Sequence, residues 1–320
     1  MKQKTINGKS INDFMKKTGI FWVLIVLIVI MSFANNAFLT PRNLLNVAKQ
    51  TSITAIIGVG MTFVLIIGGI DLSVGSVMAL AGTLAAATAV ADKGIPIAVT
   101  ILVGIAIGSA CGLLNGLGVA YIGFPPFIMT LGMMTIARGS AMVYTNGTPI
   151  FGLSDTFNKM TSSTLLGIPS LVYYMLVVFI LGYIILNKTV FGRRVYAIGG
   201  NIEAARLSGV SVSKLTVLVY TISGFLSGLA GILICSRITS GNATVAEGYE
   251  MNAISSAVIG GVSMSGGSGS VVGTIIGALI LTIIQNSFDI MGINSFYQDV
   301  IKGIIILLAV FLDIRGKKKI

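Results

Sequence analysis

Apolar residues fill this chain in blocks of roughly twenty, the length a helix needs to cross a hydrocarbon layer about 30 Å thick. The blocks fall near residues 19–38, 52–70, 76–91, 96–122, 127–145, 168–187, 215–235, 251–264, 271–288 and 299–314. The strands of a membrane barrel would instead alternate apolar and polar residues over about ten positions, and that alternation is absent here. The pattern predicts an all-α polytopic membrane protein of about ten transmembrane helices, with broken or re-entrant segments where glycine and polar residues cluster. One transmembrane domain is expected over 19–314, with a polar tail at 1–18 and a basic tail at 315–320. Block 19–38 follows a lysine-rich start, as a secretory signal does. It is longer than a signal's apolar region and ends in ANNA, a poor cleavage site, so an uncleaved helix is expected.

Composition agrees: 55% of the residues are hydrophobic and 10% charged, against about 25% charged in soluble domains. The net charge of +11 would suit nucleic acid, but its distribution does not. Lys2, Lys4, Lys9, Lys16 and Lys17 precede the first block, and Arg315, Lys317, Lys318 and Lys319 follow the last. Lys188, Arg193, Arg194, Arg206 and Lys214 fill the polar loop 188–214. An even number of spans places all three clusters on one face, as expected when positive charge stays cytoplasmic. An eight- or nine-span count would strand one cluster or merge two blocks. The expectation is therefore two cytoplasmic termini, contact with membrane lipid, no nucleic-acid partner, and outer connections at 146–166 and 236–250.

Histidine is absent, which removes His-based proton relays, Ser-His-Asp triads and His metal sites. Cys111 and Cys235 each lie inside an apolar block and read as small core residues. No catalytic residue and no metal site is expected.

Much of the glycine (40 residues) suits close helix packing, as in Gly108 to Gly112 and Gly224 to Gly228. The rest marks helix breaks. GGIDLSVGS at 68–76 carries Gly68, Gly69 and Gly75, and GGVSMSGGS at 260–268 carries Gly260, Gly261 and Gly267. Aligned, the two share their opening Gly-Gly, a central Ser and a closing Gly-Ser. That fits either an internal repeat or a coincidence of glycine-rich turns. The parity of the spans gives both the same orientation, so a repeat would be parallel unless the span count is off. Charged and amide groups at membrane depth are costly and face a partner, water or a cavity. Asp71, Ser73, Asn115, Arg138, Gln285 and Asn286 are accordingly candidates to line a pathway. Each also has a structural reading: Asp71 or Ser73 capping the following helix, the amides joining helices, Arg138 reaching to headgroups.

Loop 188–214 predicts one or two short surface helices. One runs over about 202–208, with Asn201 as N-cap, Glu203 in the first turn and Gly209 at its end. Glu203-Ala204-Ala205, with Arg206 following and Gly209 after three residues, resembles the E-A-A-x-x-x-G loop of ABC importer permeases. TVFGRRVYAIGGNIEAARLSGV, GGIDLSVGS and PPFIMTLGMMTIARG resemble the permeases of ribose-type sugar importers from about residue 40 to 314. The resemblance implies a permease in the bacterial cytoplasmic membrane that moves a small sugar by alternating access. Residues 201–209 would be the coupling helix, docked on a cytoplasmic ATPase. It further implies a second permease copy and an extracytoplasmic sugar-binding protein. No GxxxxGK[ST] occurs, so ATP and Mg would belong to the partner ATPase and this chain would bind no cofactor. Amides and carboxylates suit a polyhydroxyl sugar; ribose comes first, with galactose-type hexoses, xylose and signalling furanosyl compounds open. The alternative is an ion- or proton-coupled secondary transporter of a small polar solute, which would need mid-span acids that this chain nearly lacks. A membrane enzyme is disfavoured by the lack of His and of clustered carboxylates.

Overall fold

The computed structural model describes the backbone of residues 8–317 and the side chains of most residues from 19 onward. Lys2, Lys4, Lys318 and Lys319 of the two basic tails lie outside the described residues. In chain order the helices are α1 (Gly8–Ala34), α2 (Pro41–Ile66), α3 (Val74–Thr88), α4 (Ile97–Leu117, carried on by a π turn at Gly118–Ile122), α5 (Pro126–Thr145), α6 (Asp155–Ser162) and α7 (Ser170–Lys188). They continue with α8 (Val190–Gly200), α9 (Ile202–Leu207), α10 (Val212–Ile238), α11 (Tyr249–Ile259), α12 (Val271–Ile290) and α13 (Ser295–Lys317). Each apolar block overlaps one helix, α1 to α5, α7 and α10 to α13, although α1 and α2 start about eleven residues earlier than their blocks. Among the described residues, six are long and apolar enough to cross a membrane: α2, α4 with its π turn, α5, α7, α10 and α12. Two blocks give shorter helices, α3 of 15 residues and α11 of 11, which rise only about 22 and 16 Å. The protein is polytopic and helical, and those two elements are shorter than the six.

Helix α10 is the axis of the fold, packed on α2, α3 and α4. Its closest neighbour is α4, because glycines on both helices remove the side chains between the backbones. A Cβ on Gly108 would strike the Gly224 carbonyl, one on Gly224 would strike that of Gly108, and one on Gly228 would strike that of Gly104. Without a hydrophobic drive between helices in lipid, such backbone approach and its dispersion contacts are what hold helices together. The same device seats α3 on α10, through Gly82 against Gly231.

Helix α2 begins with Thr40 accepting from the Asn43 N–H and Pro41 in the first turn. It ends where Gly68 takes φ +79°. There the N–H groups of Gly68 and Gly69 bond the carbonyls of Leu65 and Val64, both at 2.9 Å. Helix α11 ends in the same way: Gly261 has φ +84°, and the N–H groups of Gly261 and Val262 bond Val258 and Ala257, both at 2.9 Å. This is the Schellman ending, which needs a left-handed residue that glycine supplies without strain. It pairs Gly68 with Gly261, one residue away from the sequence alignment of the two stretches.

Beyond that turn the likeness stops. The first stretch reaches the next helix after Ser73 and the second only after Ser270. Gly75, expected as a helix breaker, is instead a packing glycine, and Gly260, at the break as the C-cap of α11, is a packing glycine as well. Gly260 lies against the backbone of Gly273, and Gly75, inside α3, against Glu250 and the Ala246 carbonyl. The two stretches also touch: the Gly267 N–H bonds the Ile66 carbonyl at 2.9 Å, satisfying an orphan group at the end of α2. At the opposite end of the bundle, α6, a two-stranded hairpin (164–165 with 168–169) and the 239–248 connection cover the helix ends.

Candidate functional site

The chain between α2 and α3 carries Asp71 into the middle of the bundle, where it is 1% exposed. Its Oδ1 accepts from the Ser73 N–H at 3.0 Å and from the Ser73 hydroxyl at 2.6 Å. Oδ2 accepts from the Ser223 hydroxyl of α10 at 2.8 Å. Asn115 of α4 donates its amide to Ser73 Oγ at 2.9 Å, while its own Oδ1 is buried without a partner. A buried carboxylate is tolerated only when donors replace its water, and here three donors from two elements do so. Neither Asp71 nor Ser73 caps α3, correcting that expectation: the Ser73 hydroxyl is committed to Asp71, and no side chain bonds the first N–H groups of α3. The network joins the helix break to α10 and α4. Beside it, the Tyr220 hydroxyl of α10 fills the space a side chain on Gly69 would need, 3.5 Å from the Ile70 carbonyl.

The α8–α9 segment sits against both breaks. Asn201 caps α9, accepting from the Ala204 N–H at 2.9 Å. Gly209 ends it at φ +78°, with the Val210 N–H bonding the Ala205 carbonyl at 3.1 Å. Ala205 is buried in a cluster with Ile198 and Leu215 that includes Ile67 at the end of α2. Glu203 and Arg206 pair at 3.0 Å on the outer side, and Leu207 is 88% exposed. At the end of α8, Gly199 and Gly200 lie on Ile66 and Gly267. The Tyr196 hydroxyl donates to the Gly269 carbonyl at 2.8 Å. A cavity of about 250 Å³ opens between the pieces, lined by Gly68, Gly69 and Tyr220 on one side and Ile202 and Arg206 on the other. One short helical unit thus touches the end of α2 and the Gly267–Gly269 chain ahead of α12, and borders a cavity leading to the Asp71 loop.

Comparison with known proteins bears on what such an arrangement serves. Residues 43–310 match the family described as the permease component of branched-chain amino acid transport systems. The chain belongs to this permease family. The permease is 45% identical over 301 residues to the ribose import permease of Bacillus subtilis strain 168, covering 93% of each chain. It is 44% identical over 294 residues to the ribose import permease of Escherichia coli K12, covering 91% of each. It is 37% identical over 325 residues to the galactose/methyl galactoside import permease of Escherichia coli K12, covering 96% of this chain and 97% of the other. No solved structure matches the permease. With its apolar helices, this makes it a multi-pass protein of the bacterial cytoplasmic membrane.

The remaining candidates of the permease are scattered. Asn286 on α12 exchanges two amide bonds with Asn43 on α2, at 2.8 and 2.9 Å, in a buried pair. It is a clamp between helices, and both amides are occupied. Gln285 lies by α13 with Gln298 and Lys302, away from the Asp71 network. Arg138 does not reach for headgroups: Nη1 donates to the Ala243 and Val245 carbonyls of the 239–248 connection, the latter at 3.1 Å. Glu247 and Glu250 act on its charge from nearby, and the Glu250 carboxylate keeps one buried oxygen without a partner. Of the six polar candidates, the fold therefore joins only Asp71, Ser73 and Asn115. Three residues that sequence reasoning missed belong beside them or beside Arg138: Ser223, Tyr220 and Glu250. The serine and tyrosine carry no signal in one sequence, since both sit in ordinary apolar helix. Glu250 was visible as one of ten acidic residues, next to a block boundary.

Proposed function

We propose that this chain is the membrane subunit of an ABC importer for a small sugar, with ribose as first substrate. The near full-length identity to ribose import permeases supports the substrate class. One observation carries the mechanism: the α8–α9 unit, which holds the E-A-A sequence, rests on the end of α2 and on the Gly267–Gly269 chain just ahead of α12. A cytoplasmic ATPase binding ATP and Mg would grip the exposed side of α9, Ile202 and Leu207 included. If its two nucleotide states contact that side differently, they bias the equilibrium between two arrangements of the helix ends. The breaks at 68–73 and 260–270 are where such a bias reaches the interior, through Gly267 on Ile66 and Ile67 on Ala205. Two copies would enclose the pathway, an extracytoplasmic binding protein would deliver the sugar, and ten spans would place both termini and loop 188–214 in the cytoplasm. This chain's own residues transmit motion and line a route; bond-breaking chemistry would be the ATPase's.

The test is uptake of labelled ribose by vesicles holding the permease with its ATPase and binding protein, with galactose and xylose as competitors. Gly209→Pro or Glu203→Lys is expected to abolish ATP-driven uptake while membrane insertion and folding stay intact. Proline cannot adopt the φ of +78°, and lysine reverses the charge in the first turn of α9. Unchanged uptake in both variants would overturn the coupling role, and ATP-independent uptake driven by an ion gradient would favour a secondary transporter.

A further inference from the structure

We propose that the cleft between α2, α7 and α10 holds an acyl chain of an anionic phospholipid whose phosphate rests on Arg193 and Arg194. The cleft, of about 210 Å³, is lined by apolar residues and one glycine, among them Val59, Phe63, Leu181, Gly182, Ile185 and Phe225. It opens through α7, whose exposed residues Val177, Ile180, Leu181 and Ile184 form an apolar face that a membrane bathes in lipid. A concave seam in that face is filled by acyl chain, because water is absent there.

The head of the ligand is set by what lies at the mouth of the cleft. Ile185 lines the cleft, and its carbonyl accepts the hydroxyl of Thr189, which caps α8. Gly192 packs on the carbonyls of Ile185 and Leu186 with no room for a side chain, and the Phe63 and Phe191 rings lie 6.3 Å apart. Helix α8 therefore starts where the cleft ends. The next residues along it are Arg193 and Arg194, exposed, with exposed Lys188 at the end of α7. None of the three is in an ion pair among the described residues, where the pairs are Arg206–Glu203 and Lys302–Asp299. Three unpaired cations and the positive end of an 11-residue helix at an apolar cleft match one diacyl lipid with an anionic head. The same α8 bears Tyr196 and Gly199, which touch Gly269 and Gly267, so a lipid held here would steady the segment that meets the end of α2 and the chain ahead of α12.

The experiment places the full-length chain in nanodiscs of equal parts phosphatidylglycerol and phosphatidylcholine, and counts lipids retained after release into detergent by native mass spectrometry. The parent is expected to retain phosphatidylglycerol in preference. Arg193→Gln with Arg194→Gln, on the exposed surface, should reduce that preference by roughly tenfold or more. Leu181→Trp, which fills the cleft from its open side, should lower retention with the arginines intact. Equal retention of both lipids by the parent, or an unchanged preference in the double variant, overturns the proposal. So does disulfide formation between two copies of Leu181→Cys, which would show a second copy on this face. Loss of ATPase co-purification in the double variant with lipid preference intact would assign the arginines to the ATPase instead.

Discussion

Asp71→Asn is the sharpest test of the central network. Asp71 gathers three donors, two from Ser73 and one from Ser223. Asparagine keeps one oxygen for the Ser73 pair and turns an NH2 toward Ser223 Oγ, which can accept. The charge-assisted bonds become neutral ones, a loss of about 1 kcal/mol each, and removal of a buried charge offsets much of it. The net change should stay within about 2 kcal/mol. In Asp71→Ala the Ser223 hydroxyl can turn to a carbonyl one turn back, but the Ser73 groups lose their partner, and orphaned donors cost about 1–3 kcal/mol each. A loss of about 2–6 kcal/mol follows. Thermal unfolding of the detergent-solubilised protein should then show Asn close to the parent and Ala well below it, with ribose uptake in vesicles retained by Asn. If Asn unfolds like the parent yet abolishes uptake, the carboxylate charge acts directly on the cargo, and a purely bridging role is refuted.

Asn43→Leu and Asn286→Leu should each cost about 1–3 kcal/mol by leaving a buried amide unpaired, while the double substitution costs less than their sum; a thermal-melt double-mutant cycle reads the coupling, and additivity would deny the reciprocal pair. Gly108→Ala should lower the folded yield in membranes, because its Cβ meets the Gly224 carbonyl, whereas Gly132→Ala, with open space around it, should not. Arg138→Lys should quicken protease cleavage within 239–248, since one ammonium cannot brace the Ala243 and Val245 carbonyls as a planar guanidinium does; equal cleavage rates would remove that bracing role.

The capped α9 was legible residue by residue. Asn201 and Gly209 act on neighbours three to five positions away, so local sequence carries the geometry. The same holds for Gly68, whose left-handed turn is a property of glycine itself. Gly75 misled because a glycine that breaks a helix and one that admits a neighbour look alike until the neighbour is known. The polar candidates divided for the same reason: Asn286 and Asp71 are both costly in lipid, and only their partners separate a clamp from a hub.

The sequence by itself determined that the chain lies in a membrane as helices, and roughly where each apolar one falls. A long apolar run can hide its backbone from lipid only by bonding within itself, so twenty such residues dictate a helix without reference to any other. Only the tertiary structure decided which polar groups meet. Asp71 finds Ser223 across 152 residues and Asn43 finds Asn286 across 243, and such meetings depend on how the helices cross. Those crossings are set by backbone-deep contacts, such as Gly108 on Gly224, that appear only when both helices are in place.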